Sequence, residues 1–213
     1  MPTGRLTGKA RDGVCAGLAP VTGASRHSKQ DATTMAEIWF RTGEATVLAA
    51  EGQFTDAMPE VLIGSTRGPV GNAFAGMLGQ VQGHTRMFVV RDLNQLVRPS
   101  TMMTTKVTIH TAEYAELLGG VVQAATGDAI IDCVIEGILP KDGLDELCMI
   151  ITIWLDERCA KDENLDRKDL YRTNYEATKL AIARAIKGEP TIDELIANRK
   201  TVKHYALEDV IDY

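Results

Sequence analysis

A mixed α/β fold, an α+β sandwich of about five strands and three or four helices, is predicted by three features of this 213-residue sequence. Short segments rich in Val, Ile and Thr, such as "EVLIG" (60–64) and the alternating "TTKVTIH" (104–110), predict strands. Longer segments with apolar residues at steps of three and four, closed by Gly or Pro, predict helices. The two kinds of segment intermingle along the chain without an internal repeat, so neither an all-α bundle nor an all-β sandwich fits.

Regular patterning begins near Ile38. "IWFRTGEATVLAA" (38–50) predicts a strand or bent strand, and "EVLIG" a second one. Pro69 at a first-turn position opens a helix over 69–81. "MFVV" (87–90) predicts a third strand, and the Pro-containing "RDLNQLVRPSTM" (91–102) a connection to the strand at 104–110. Thr111 caps a helical region that pauses at Gly119 and Gly120. Its second part buries a stripe of Val122, Ala125, Ala129, Ile130, Cys133, Val134 and Ile138. "ELCMIITIWL" (146–155) is too apolar for a one-faced strand and belongs at the centre of the sheet. After a charged loop, a helix over 171–188 stops at Gly188 before Pro190, and Thr191 with Glu194 at capping-box spacing starts one more short helix.

Residues 1–34 read as a disordered extension, rich in Gly, Ser, Thr and Ala, with regular patterning starting only after Met35. Residues 35–190 form the folded domain, and 191–213 a tail carrying the short helix. Five basic and two acidic side chains give the extension +3, which leaves −9 for the remainder of a chain of net charge −6. A body that acidic argues against nucleic-acid binding, which depends on neutralising phosphates. The longest apolar runs, such as "MIITIWL", fall short of the ~20 residues that span a bilayer, so no membrane role is expected. Cys15, Cys133, Cys148 and Cys159 form no close pair and no histidine-rich cluster, as expected of free thiols in a reducing cytoplasm.

The segment "IGSTRGPVGNAF" suggests a phosphate-binding loop, but Gly64, Gly68 and Gly71 match neither the dinucleotide fingerprint nor the P-loop. Pro69 also removes one of the donors such a loop would use. A tight connection from strand to helix is the expectation. Of the four histidines, His27 and His204 lie in the terminal regions, His110 closes a strand toward solvent or an interface, and His84 sits in a turn before "MFVV". Neither a GxSxG elbow nor a metal-binding His/Cys spacing occurs, so no metal is expected. Lys106 and Thr108, two apart on a predicted strand, would share one face.

The chain also resembles a known family. "NYEATKLAIARAI" (174–186), "EGILPKDGLDEL" (136–147), "KVTI" (106–109), "GHT" (83–85), "RPST" (98–101) and "KGEP" (187–190) resemble, in order, segments of the formaldehyde-activating enzymes, which join formaldehyde to tetrahydromethanopterin in the one-carbon metabolism of methylotrophs and methanogens. The resemblance runs from about Ala36 to His204. It implies a ribosomal protein S5 domain 2-like fold, a cytoplasmic homopentamer with sites between subunits, and tetrahydromethanopterin as substrate. It further implies pterin contacts at Glu60, Phe88, Lys106, Thr108 and Gln123, with Glu60 in place of an aspartate and Phe88 in place of a leucine.

The family's catalytic histidine falls on Met58, followed by Pro59. A thioether neither gives nor takes a proton near neutrality, whereas the condensation must expel a hydroxyl as water. Glu60 and His84 are the candidate substitutes. Two readings therefore stay open. One is a carbon–nitrogen-bond-forming hydro-lyase that makes methylenetetrahydromethanopterin. The other is a non-catalytic pterin- or formaldehyde-binding sensor or accessory subunit, mixed in one ring with a catalytic relative.

Overall fold

The computed structural model describes residues 38–79, 85–202 and 204. The extension at 1–34, with Cys15 and His27, and the candidate His84 lie outside the described residues. Five strands, β1 (Arg41–Glu44), β2 (Glu60–Ser65), β3 (Arg86–Phe88), β4 (Ser100–Thr105) and β5 (Leu147–Ile153), form one mixed sheet in the order β1-β2-β5-β4-β3. Among the described residues only the central β4–β5 pair is parallel. The apolar run 147–153 has a neighbour on each side, as its composition predicts.

Helices cover the sheet. α1 is Pro69–Met77, α2 Ala112–Leu117, α3 Gln123–Ile135, α4 Arg167–Lys187 and α5 Ile192–Ala197. Val61, Ile63, Met149, Ile151, Ile153 and Met103 turn one sheet face into the main core with α3 and α4. Gly43 in β1 permits this approach, because a β-carbon there would run into the α4 backbone at Ala181 and Ala185. Ala177, Ala181 and Ala185, spaced by four on α4, are small for the same reason. On the opposite face, Val70 of α1 packs over Gly64.

Three expectations are corrected. The pause at Gly119 and Gly120 does not occur. A π-helical turn, Leu118–Val122, joins α2 to α3 into a continuous helix over Ala112–Ile135. By length and composition that helix could cross a membrane, yet Leu118, Val122, Ala125, Ala129 and Ile130 are buried in the core. The strand expected at 104–110 is β4, displaced to 100–105, because Pro99 precedes the strand rather than interrupting it. The chain then bends: the Thr105 hydroxyl donates to the Val107 carbonyl and accepts from the Val107 amide, at 3.0 and 3.2 Å. Lys106 and Thr108 therefore share no strand face. Finally, α4 starts a turn earlier than expected, capped by Asp166, whose carboxylate accepts from the amides of Lys168 and Asp169.

The helix expected over 69–81 ends at Met77, and the strands expected over 38–50 and 87–90 are Arg41–Glu44 and Arg86–Phe88, while other local signals hold. Gly188 ends α4 with φ of 71°. Thr191 and Glu194 form the capping box of α5. Gly64 and Gly71 admit the strand-to-helix connection, since β-carbons there would meet the carbonyls of Trp39 and Thr66. Cys133, Cys148 and Cys159 are buried free thiols, and burial pushes Cys133 up to about 12.

Candidate functional site

Alternation along β2 aims Val61 and Ile63 into the core and leaves Glu60 and Leu62 on the opposite sheet face. Across the register, Leu62 and Ile150 form an apolar pair that Thr42 extends, and Glu44, Glu60 and Thr152 a polar row beside it. Both rows border a cleft of about 880 Å³, with Phe40, Pro190 and Leu195 along its walls. A volume of that order lies within the range that takes small molecules.

At the polar row, the ends of three strands converge. Lys106, just past β4, places its ammonium 2.8 Å from one Glu60 carboxylate oxygen and donates to the Met58 carbonyl at 2.9 Å. The Thr152 hydroxyl on β5 donates to the other carboxylate oxygen at 2.9 Å. The Lys106 ammonium, and after it the Thr152 hydroxyl, hold the Glu60 carboxyl below the usual carboxylate range despite partial burial. Glu60 is thus fixed as an acceptor for donors arriving from the cleft. That geometry works against its serving as a proton donor near neutrality.

Met58 contributes its backbone here, and its half-buried side chain follows Ala57, which bridges to Val47. The loop leading to Met58 is anchored from below by Asp169 at the start of α4. Its carboxylate accepts from the Ala50 amide at 2.9 Å, the Arg172 guanidinium at 2.7 Å and the Thr55 hydroxyl. The Thr173 hydroxyl donates to the Thr55 carbonyl at 2.5 Å. Burial alone would raise the Asp169 carboxyl, but these donors together bring it below the ordinary range.

The other sequence-predicted positions lie apart. Thr108 borders a separate concavity of about 80 Å³ with His110, Tyr114, Glu157 and Lys161. Phe88 lies on β3, three strands from Glu60 and so roughly 14 Å away by ordinary strand spacing. Its ring meets Phe74 of α1 at a centroid distance of 5.8 Å. The Gln123 side chain accepts from the Val90 amide at 3.1 Å and donates to the Gly119 carbonyl at 2.7 Å, tying the π-helical turn to the sheet. One chain therefore brings together Met58, Glu60 and Lys106 but not Phe88, Thr108 or Gln123. Sequence reasoning missed Thr152 and the Asp169 anchor. The signal for Thr152 was a single hydroxyl inside the apolar run "MIITIWL". Asp169 was hidden in what reads as a charged loop.

Among the described residues, no three His, Cys, Asp or Glu side chains converge as a metal site would require.

Comparison with known proteins places the same region in one family. The formaldehyde-activating enzyme family matches residues 42–207. A 5,6,7,8-tetrahydromethanopterin hydro-lyase of Methanosarcina barkeri is 38% identical over 146 residues, covering 68% of this chain and 79% of that protein. A bifunctional enzyme Fae/Hps of Methanothrix thermoacetophila is 40% identical over 146 residues, 68% of this chain but only 36% of its own length. One from Methanosarcina mazei is 36% identical over 167 residues, 78% of this chain and 40% of its own.

Proposed function

The chain belongs to the formaldehyde-activating enzyme family, and from that premise we propose that it binds tetrahydromethanopterin in the cleft beside β2 and condenses it with formaldehyde to methylenetetrahydromethanopterin. The observation that carries this reading is the Glu60–Lys106 pair at the polar edge of a cleft with an apolar floor. A reduced pterin has flat apolar faces and a rim of N–H donors. Leu62, Ile150 and Phe40 offer the faces a surface, and the ionised Glu60 offers the rim an acceptor. Lys106, held by Glu60 and the Met58 carbonyl, fixes that acceptor in place.

The reaction joins two ring-related amines through one carbon and releases one water. The first amine adds to the aldehyde to give a carbinolamine. Its C–O bond breaks as the hydroxyl takes up a proton, and the second amine closes the ring and sheds a proton. Holding both amines and the aldehyde together supplies much of the acceleration.

A ring of copies belongs to this proposal. Leu78 at the end of α1 and Phe88 are 57% and 38% exposed, so the β3–α1 edge offers an apolar surface to a neighbouring copy. A site between copies would bring Phe88 and Gln123 of one chain toward Glu60 and Lys106 of the next.

A second reading, pterin binding without turnover in a sensor or accessory subunit, draws on Met58 and Glu60. Neither a thioether nor a carboxylate held ionised delivers a proton near neutrality. Formation of methylenetetrahydromethanopterin, followed above the spontaneous rate, separates the two. The first reading expects a protein-dependent rate, and a rate equal to the spontaneous one together with intact binding establishes the second.

A further inference from the structure

We propose that His110 is the proton donor that Met58 cannot be, acting from the concavity it shares with Thr108; this rests on the condensing activity proposed above. The described part of the chain leaves few candidates. Met58 has no titratable group, and Glu60 is committed to Lys106 and Thr152. Among the described residues the remaining histidines are His110 and His204, and His204 lies in the C-terminal tail beyond α5.

Position favours His110. The chain leaves β4 at Thr105, passes Lys106 at the carboxylate pair, and reaches Thr108 and His110 at the small concavity. Both places lie beyond the carboxyl ends of the parallel β4–β5 pair, at the same end of the sheet. Four residue steps separate Lys106 from His110, so the two side-chain origins stand no more than about 14 Å apart. A substrate seated on Glu60 and reaching past Thr108 presents its reacting end to the imidazole.

The surroundings suit proton transfer. His110 is exposed, so it exchanges protons with solvent between turnovers. The titratable groups facing the concavity are Tyr114 from α2 and Glu157 and Lys161 from the turn after β5. Tyr114 already donates to the Leu155 carbonyl at 3.0 Å, which removes it as the donor. A volume of about 80 Å³ admits a carbinolamine hydroxyl and the water it becomes. Imidazole can both give and take a proton, as this step requires. In the step, the imidazolium N–H proton passes to the carbinolamine hydroxyl, the C–O bond breaks and water leaves. The neutral imidazole then receives the proton that the second amine loses on ring closure, so the protein returns to its starting state.

The test uses the full chain and its His110→Gln, His110→Asn and His110→Ala variants. Tetrahydromethanopterin affinity is read by calorimetry, and formaldehyde-dependent kcat and KM are followed over about pH 5.5 to 8.5. Pterin affinity is expected to stay within about twofold, while kcat falls by ~10²-fold or more and loses its histidine-dependent pH limb. Added imidazole should restore part of the His110→Ala rate, which a purely structural role would not allow. If the variants keep the wild-type rate and pH profile, His110 is not the donor although the condensing activity stands; if wild type binds pterin without any turnover, there is no donor to assign and the binding reading stands. If wild type binds no pterin, the proposed function itself fails.

Discussion

Among single residues, two carboxylates play different parts. Glu60 sits at a cleft and is shaped to accept; Asp169 sits beneath the loop that carries Met58 and is shaped to hold. Both have carboxyls drawn below the ordinary range, so the sign is the same for each. Their stabilising contribution is present above the unfolded carboxylate pKa of ~4 and is lost as pH falls through the lowered folded value. Replacing Asp169 by Ala leaves the Thr55 hydroxyl, the Ala50 amide and the Arg172 guanidinium without their shared acceptor. Urea titration of Asp169→Ala is expected to show a loss of about 3 kcal/mol at neutral pH, shrinking as the pH is lowered into the acid range. A loss below about 0.5 kcal/mol would mean that the loop is held by other contacts.

At the scale of elements, α3 and α4 are joined along one edge by a ladder of side chains spaced four apart. Tyr171 donates to Asp128 at 2.7 Å, Tyr175 to Asp132 at 2.6 Å, and Lys179 pairs with Glu136 at 2.5 Å. Matching steps on both helices require them to run parallel. Burial and the neighbouring Asp128 push the Tyr171 phenol up to about 12, so the ladder stays intact through the neutral range. Tyr175→Phe should cost about 1 kcal/mol in thermal or urea unfolding without changing pterin binding. Gly71→Ala should cost more, about 1–3 kcal/mol, because the added methyl meets the Thr66 carbonyl where α1 turns away from β2.

Most elements were legible because their signals are local: the apolar run of β5, the capping box at Thr191 and the glycine closing α4. Two of the misplaced elements turn on a local breaker, Gly119–Gly120 and Pro99, and the third on the Asp166 cap inside a charged run. Gly119 and Gly120 pass inside a continuous helix because the π-helical turn is tied by Gln123 to the Val90 amide. Pro99 looked like the middle of a connection and instead precedes β4. At the site, residue types and family resemblance pointed to Glu60 and Lys106. Their contact is not readable from 46 positions of sequence separation, and depends on β2 and β4 both flanking β5.

At the scale of the whole molecule, the sheet order places the start of β2 beside the ends of β4 and β5, so Met58, Glu60, Thr152 and Lys106 meet at one end of the sheet. The acidic net charge of −6 offers no attraction to polyanions, and the cleft's own chemistry suits a small flat ligand with donor groups on its rim. The proposed function requires that this cleft bind tetrahydromethanopterin through the Glu60–Lys106 pair. Calorimetric titration of the pterin into wild type and Lys106→Met tests it most directly. Saturable binding by wild type, weakened about tenfold or more in the variant, is the predicted result. No saturable heat with wild type, or equal affinity in both proteins, would contradict it.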